Sequence, residues 1–228
     1  MSRVVLEACG VGVTHGSRRR PFTALHPTDL AVHAGESVAI VGRSGAGKST
    51  LAEVLLGLRR SSTGHVQVHG EHFCGCKSGP HAHQRHLVQG VPQDAGASLP
   101  PRSPVRASIE RALARLGVDG DPSARIAAAA DTARIDLDLL DRTPRQLSGG
   151  QAQRAAIARA VAVGPDVIVA DEPTSALDAR TSASLADALL ALPERTGGAL
   201  MLITHDDDLA ARCDRVFTVR DGKVEQAR

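Results

Sequence analysis

The chain has 228 residues, 42% of them hydrophobic, enough to bury one large domain or a domain with a sub-domain. Its formal net charge of +2 is too near neutral to hold nucleic acid by bulk electrostatics, so no nucleic-acid partner is expected. The longest apolar runs, as in SVAIVG and ALMLI, are five or six residues, and the opening MSRVVLEACG lacks a signal peptide's hydrophobic region, so a cytosolic chain without membrane spans is expected.

The four cysteines, Cys9, Cys74, Cys76 and Cys213, are irregularly spaced and suggest no disulfide framework. There is no Trp or Tyr, Phe occurs only at 22, 73 and 217, and 24 Arg stand against 3 Lys. Such a bias reads as a GC-rich coding sequence. The cluster RRR at 18–20 therefore reads as a solvated loop rather than a binding patch.

In chain order, VVLEACGVGV, TDLAVHAGE and HVQVHG read as short strands with turn glycines between them, forming a separate antiparallel layer. SVAIV (37–41) reads as a buried parallel strand and STLAEVLLGL (49–58) as the helix after it. Residues 94–147 begin with the turn LPPRSP and continue as helix with no strand run. RASIERALARL (106–116) places Ile109, Leu113 and Leu116 at helical spacing, so this region reads as a helical insertion. DVIVA (166–170), the helix TSASLADALLAL (181–192) and LMLIT (200–204) complete an α/β pattern with a mainly parallel sheet.

Between the first strand and its helix lies GRSGAGKS (42–49), which fits G-x-x-x-x-G-K-[ST] in full. Strand before and helix after separate it from a chance glycine-rich turn. Gly42, Gly45 and Gly47 would let backbone N–H groups turn inward around a phosphate at the positive helix end. Lys48 would place an ammonium on the β- and γ-phosphates and Ser49 would hold Mg²⁺. An Arg-rich chain that keeps Lys here fits a need for a compact point charge.

VIVADEP (167–173) places two acids at the carboxyl end of a buried strand, where parallel sheets bind ligands. Asp171 would coordinate Mg²⁺, and Glu172 would deprotonate the water that attacks the γ-phosphate. LMLITHDDD brings His205 to the same edge. A lone His after a strand can be merely structural, and the shared edge is what favours a role at the phosphate. Asp206–Asp208 reads as a helix N-terminus.

With these pieces in order, the chain resembles the ATP-binding subunit of an ABC transporter over nearly its whole length. Walker A is GRSGAGKST (42–50), which includes Arg43, Ser44, Ala46 and Thr50. The Q-loop is VPQD (91–94) with Gln93, and the signature is LSGGQ (147–151) followed by QRAAIARA. Walker B is VIVADE (167–172), the D-loop SALD (175–178), and His205 the switch histidine. The resemblance implies a single domain, 1–228: a P-loop, RecA-like α/β core (1–93 and 148–228) with an antiparallel layer and a helical sub-domain (94–147).

It also implies ATP and Mg²⁺, with Gln93 joining Ser49 and Asp171 at the metal. Ser148, Gly149, Gly150, Gln151 and Asp178 would serve the ATP of a second ATPase subunit, identical or paralogous. Permease subunits, an extracytoplasmic solute-binding protein and a place on the cytoplasmic face of the membrane complete the expectation. QDAGASLPPR (93–102) is similar to the QDPxxSLNPR segment of peptide and nickel importers, with Pro100 where that pattern has Asn, so import is expected. An exporter ATPase and a soluble, non-transport ABC ATPase are the alternatives.

The family stacks adenine on an aromatic upstream of Walker A. Alignment puts His15 there, which would stack with less surface than Tyr. The chain ends soon after FTVRDGKVEQ and so reads as lacking the C-terminal extension that peptide-type ATPases often carry. Residues 65–86 hold six of the ten histidines with Cys74 and Cys76. They read as an exposed loop, with zinc, nickel or copper binding as the alternative, although CGC is not C-x-x-C spacing.

Overall fold

The computed structural model describes residues 3–17, 20–175 and 177–227. Arg18 and Arg19 of the arginine cluster and Ala176 of SALD lie outside the described residues. Among the described residues ten strands follow in order: β1 (Val4–Ser17), β2 (Arg20–His33), β3 (Ser37–Val41), β4 (Thr63–Val68), β5 (Glu71–Gly75), β6 (Val88–Val91), β7 (Val167–Asp171), β8 (Ala199–Ile203), β9 (Arg215–Arg220) and β10 (Lys223–Gln226). The helices are α1 (Lys48–Leu55), α2 (Ala95–Ser98), α3 (Val105–Leu116), α4 (Pro122–Ala133), α5 (Gly149–Ala162), α6 (Ala179–Leu190), α7 (Leu192–Thr196) and α8 (Asp207–Ala210).

One sheet runs β10-β9-β3-β8-β7-β6, parallel throughout except for the edge strand β10. A second, antiparallel sheet runs β2-β1-β4-β5. The parallel strands are apolar on both faces, and their period of two sorts each residue to one of two cores. Ala39, Ile168, Ala170, Leu200 and Leu202 pack toward the helices. Val38, Ile40, Val167, Val169, Met201 and Ile203 pack toward α1 and the antiparallel sheet. The sheet is thus the middle layer of the molecule, which matches the expected α/β class.

Residues 94–147 contain helices and 3₁₀ turns and no strand among the described residues. Ile109 of α3, Ile126 of α4 and Ile157 of α5 belong to the same continuous apolar cluster as Ile168 and Leu200 of the sheet. The expected division at 147/148 falls at the start of α5, which packs on α3, α4 and β6 alike. Six buried alanines of α5, Ala152, Ala155, Ala156, Ala158, Ala160 and Ala162, let these neighbours approach closely.

Two expectations need correction. The N-terminal strands are not short pieces separated by turn glycines: β1 and β2 are each 14 residues long. Gly10 sits inside β1 at φ +58°, where the pairing register shifts between Ala8 and Val11, so it marks a bulge. The first half of residues 65–86 is not a loop either, because β4 and β5 pair there and bury Phe73 and Cys74; beyond Gly75 the stretch holds only a short 3₁₀ turn at Ala82–Gln84. Burial pushes the Cys74 thiol up to about 12, and its Sγ donates to the Val54 carbonyl. No three His, Cys, Asp or Glu among the described residues converge as a metal site.

Because one apolar cluster spans sheet and helices, Ile109→Ala should cost about 2–5 kcal/mol and leave urea unfolding a single transition. Two separated transitions would contradict the shared core.

Candidate active site

Four neighbouring parallel strands, β3, β8, β7 and β6, present their carboxyl ends along one edge. The loop after β3 is GRSGAG and leads into Lys48 at the start of α1, β8 leads to His205, β7 ends on Asp171 with Glu172 next, and β6 leads to Gln93. Residues of all four line one cleft of about 560 Å³.

At the start of α1, Lys48 is 8% exposed and its Nζ donates to the carbonyls of Gly42 (2.7 Å) and Arg43 (3.1 Å). An ammonium has three donors, so one remains for the cleft. The loop is clamped from both sides. A Cβ on Gly42 would lie 2.3 Å from the Val219 carbonyl oxygen of β9, and one on Gly47 would lie 2.6 Å from that of Ala24 in β2. Arg43, Ser44, Gly45, Ser49 and Thr50 line the cleft with them. Ala46 differs: its side chain is buried in the core under the antiparallel sheet.

Asp171 Oδ1 is buried and has no hydrogen-bond partner among the described residues. Burial raises the Asp171 carboxyl above its ordinary value. The Ser49 hydrogen bond opposes this, Glu172 adds to it, Lys48 opposes it and Glu53 adds to it. A buried, unpaired carboxylate oxygen beside a serine hydroxyl suits a hard cation such as Mg²⁺. Glu172 has φ +47°, an uncommon conformation for a non-glycine residue, and its N–H donates to the Ile203 carbonyl. His205 Nδ1 lies 2.7 Å from Glu172 Oε2, so this acid and the histidine are in direct contact.

His15 reaches the cleft from β1, opposite Phe22 of β2 in register, and Phe22 and Ala24 also line it. Phe22 is 64% exposed and was not indicated by the sequence, because its place depends on a register that only the long hairpin defines. It offers the larger flat apolar surface of the two.

The signature residues lie elsewhere. Ser148 caps α5: its Oγ accepts from Gln151 N–H, while Gln151 Oε1 accepts from Ser148 N–H. Ser148, Gly150 and Gln151 line a second cleft of about 380 Å³ with Arg154, Arg180, Thr181 and Ser184. A Cβ on Gly150 would lie 2.4 Å from Thr181 Cγ2, so a side chain there would force Thr181 of α6 in its own chain to move. Gly149 lies beside it at the start of α5.

Arg154 donates to the Ala133 carbonyl and to Ser184 Oγ, and burial, then Arg134, lower its guanidinium pKa. Among the described residues neither Arg154 nor Arg180 forms an ion pair. Asp178 caps α6 by accepting from Thr181 N–H; the Thr181 hydroxyl and then its backbone N–H hold the Asp178 carboxyl below the usual range, and it lines neither cleft.

The profile described as ABC transporter matches residues 25–175. The chain belongs to the ABC transporter family of ATPases. It is 35% identical to the nickel import ATP-binding protein NikE of Shigella flexneri, covering 97% of this chain and 86% of that protein. It is 40% identical to the macrolide export ATP-binding/permease protein MacB of Nitrosomonas europaea, covering 96% of this chain but only 33% of MacB, so it spans about a third of that relative's length.

Its fold matches the dimeric, ADP- and phosphate-bound post-hydrolysis structure of the cassette MJ0796, with TM-score 0.84 and 28% identity over 98% of this chain and 99% of that one. Import and export proteins both occur among the relatives, so membership of the ABC family leaves the direction of transport open. No helix of this ABC ATPase, among the described residues, is long and apolar enough to cross a membrane.

If the β1–β2 hairpin supplies the base platform, Phe22→Ala should weaken ATP binding about ten-fold, a stacking loss of 1–2 kcal/mol, and His15→Ala should weaken it less. Equilibrium titration with ATP and with tripolyphosphate checks this, since only ATP binding should respond.

Proposed function

We propose that this chain drives solute through a separate transmembrane permease at the cytoplasmic face of the membrane, as one of two ATPase subunits that close around two ATP molecules. The separation of the two clefts carries this reading. One holds a phosphate loop, an acid pair, a histidine and a glutamine, and the other holds a capped helix end with two cations that form no ion pair among the described residues. A second cassette, identical or paralogous, would set each cleft against the complementary one. The dimeric structures of the similar cassette MJ0796 support a pairing of two cassettes.

Within the closed site the residues take distinct roles. Backbone N–H groups of residues 42–48 and the Lys48 ammonium bind the β- and γ-phosphates at the start of α1. Ser49, Asp171 and Gln93 would hold Mg²⁺, which neutralises charge on the phosphate oxygens. Glu172 accepts the proton of the attacking water, and His205, already in contact with Glu172, holds that carboxylate in place. From the partner, Ser148, Gly149, Gly150 and Gln151 present the positive end of α5 to the γ-phosphate, with Arg154 and Arg180 beside it. Asp178 acts indirectly, by capping α6 and so fixing Thr181 against Gly150. Gln93 precedes α2, so a change at the phosphate can pass to the helices that would meet the permease.

For cargo, the segment 93–102 and the nickel-import relatives support import of a peptide, nickel or a related small solute, delivered by a solute-binding protein. Export is the second reading, favoured by 40% identity to a macrolide export protein. Uptake of dipeptides or Ni²⁺ by reconstituted complex would carry the first. ATP-dependent macrolide efflux without uptake would replace it with the second.

Glu172→Gln should bind ATP, turn over at least a hundred-fold more slowly, on the order of a lost general base, and accumulate as a dimer on size exclusion. Ser148→Arg should bind ATP as a monomer and fail to dimerise. Normal turnover in either variant would refute the assigned role. A proton and Mg²⁺ compete for the Asp171 oxygens, and a raised pKa lets the proton win at higher pH. The Mg²⁺-dependent gain in ATP affinity should therefore fade on acidification at a higher pH than an ordinary aspartate would give.

A further inference from the structure

In the turn after β7, the Ser175 hydroxyl sits between two groups of the first cleft. Its Oγ donates to the Glu172 carbonyl oxygen at 3.0 Å, and Gln93 Nε2 donates to that Oγ at 3.1 Å. The Ser175 backbone N–H donates to the same Glu172 carbonyl at 3.2 Å.

A serine hydroxyl has a single proton. With that proton on the Glu172 carbonyl, Oγ can only accept, and only the NH₂ end of the Gln93 amide can give to it. The two ends of the amide are thereby distinguished: Nε2 is committed to Ser175, and Oε1 is left for a cation. Lacking such a partner, a primary amide can turn over and present either end. At the other side of the same hydroxyl, Glu172 is held at φ +47°, a conformation that persists only where neighbouring bonds determine it. The two bonds from Ser175 to its carbonyl and the bond from its own N–H to Ile203 provide them.

We propose that Ser175 is a positioning residue for Mg²⁺·ATP: it orients the Gln93 amide oxygen toward the cation and ties that amide to the turn carrying the catalytic Glu172. This rests on the reading of Gln93 as a magnesium ligand. One hydroxyl then joins the metal, the base and the start of the helical region, so a cation that pulls on Gln93 Oε1 also tightens the Glu172 turn.

The experiment is an equilibrium titration of the full chain with ATP, in Mg²⁺ and in EDTA, together with the Mg²⁺ dependence of hydrolysis. Ser175→Ala should lower apparent Mg²⁺ affinity about three- to ten-fold, the factor one neutral hydrogen bond supplies. ATP affinity in EDTA should stay unchanged. Ser175→Thr, which keeps the hydroxyl, should restore the Mg²⁺ dependence. Gln93→Ala should show the loss by itself, and the double variant should show little more.

Equal losses with and without Mg²⁺ in Ser175→Ala would mark a merely structural residue and overturn the proposal. A shift in Gln93→Ala with none in Ser175→Ala would overturn it while sparing the ligand reading. No shift in Gln93→Ala would remove the ligand reading and the proposal with it.

Discussion

The parallel pairing of β3, β8, β7 and β6 is the constraint on which the rest depends. Parallel strands share a carboxyl edge, so four loops far apart in sequence open onto one cleft. Their register sets the offset between them, with Ile40 opposite Ile203, Asp171 opposite Ile203 and Val91 opposite Ala170. Burial on both faces enforces that register, because a one-residue slip would exchange the two cores and move every side chain to the wrong layer. Hydrophobic packing in the middle layer therefore determines where the acids, the histidine and the glutamine meet.

The signature segment illustrates how one sequence can satisfy two demands. Ser148 and Gln151 cap α5 reciprocally, and Gly150 admits Thr181, so the segment has a complete role inside its own chain. That internal role keeps the helix end ordered and open before any partner arrives. The proposed second role, meeting a phosphate held by another subunit, then costs little reorganisation. Arg154 adds to this: its guanidinium is anchored on a carbonyl and a hydroxyl, and no carboxylate of the described residues neutralises it.

Much of this was legible in the sequence where the information is local. SVAIV, VIVAD and ALMLI announce themselves because strands buried on both faces are continuously apolar. The phosphate loop and the acid pair are legible because their chemistry sits on consecutive residues. β6, with sequence VQGV, is too short and too polar to stand out, and it takes its place only by pairing with β7. The long β1–β2 hairpin hides behind its bulge glycines, and with it the face that Phe22 offers to the cleft. Arg180 and Thr181 reach the second cleft through the approach of two helices, which no spacing rule encodes. The histidine-rich stretch misleads for a related reason: its residue types suggest ligands, but His65 and His72 lie on a hairpin while His81, His83 and His86 follow it, and no three such groups among the described residues converge.

The clamp on the phosphate loop has an evolutionary corollary. Gly42 and Gly47 are confined by the backbones of β9 and β2, whereas Gly45 has open space around the position of a Cβ and needs only its φ of +77°. Two of the three glycines are thus held by folding, irrespective of any nucleotide. A lineage of this chain that lost its ATPase role would be expected to shed the lysine and the acid pair first. It would keep glycine at 42 and 47 long after, as a fossil of architecture rather than of catalysis.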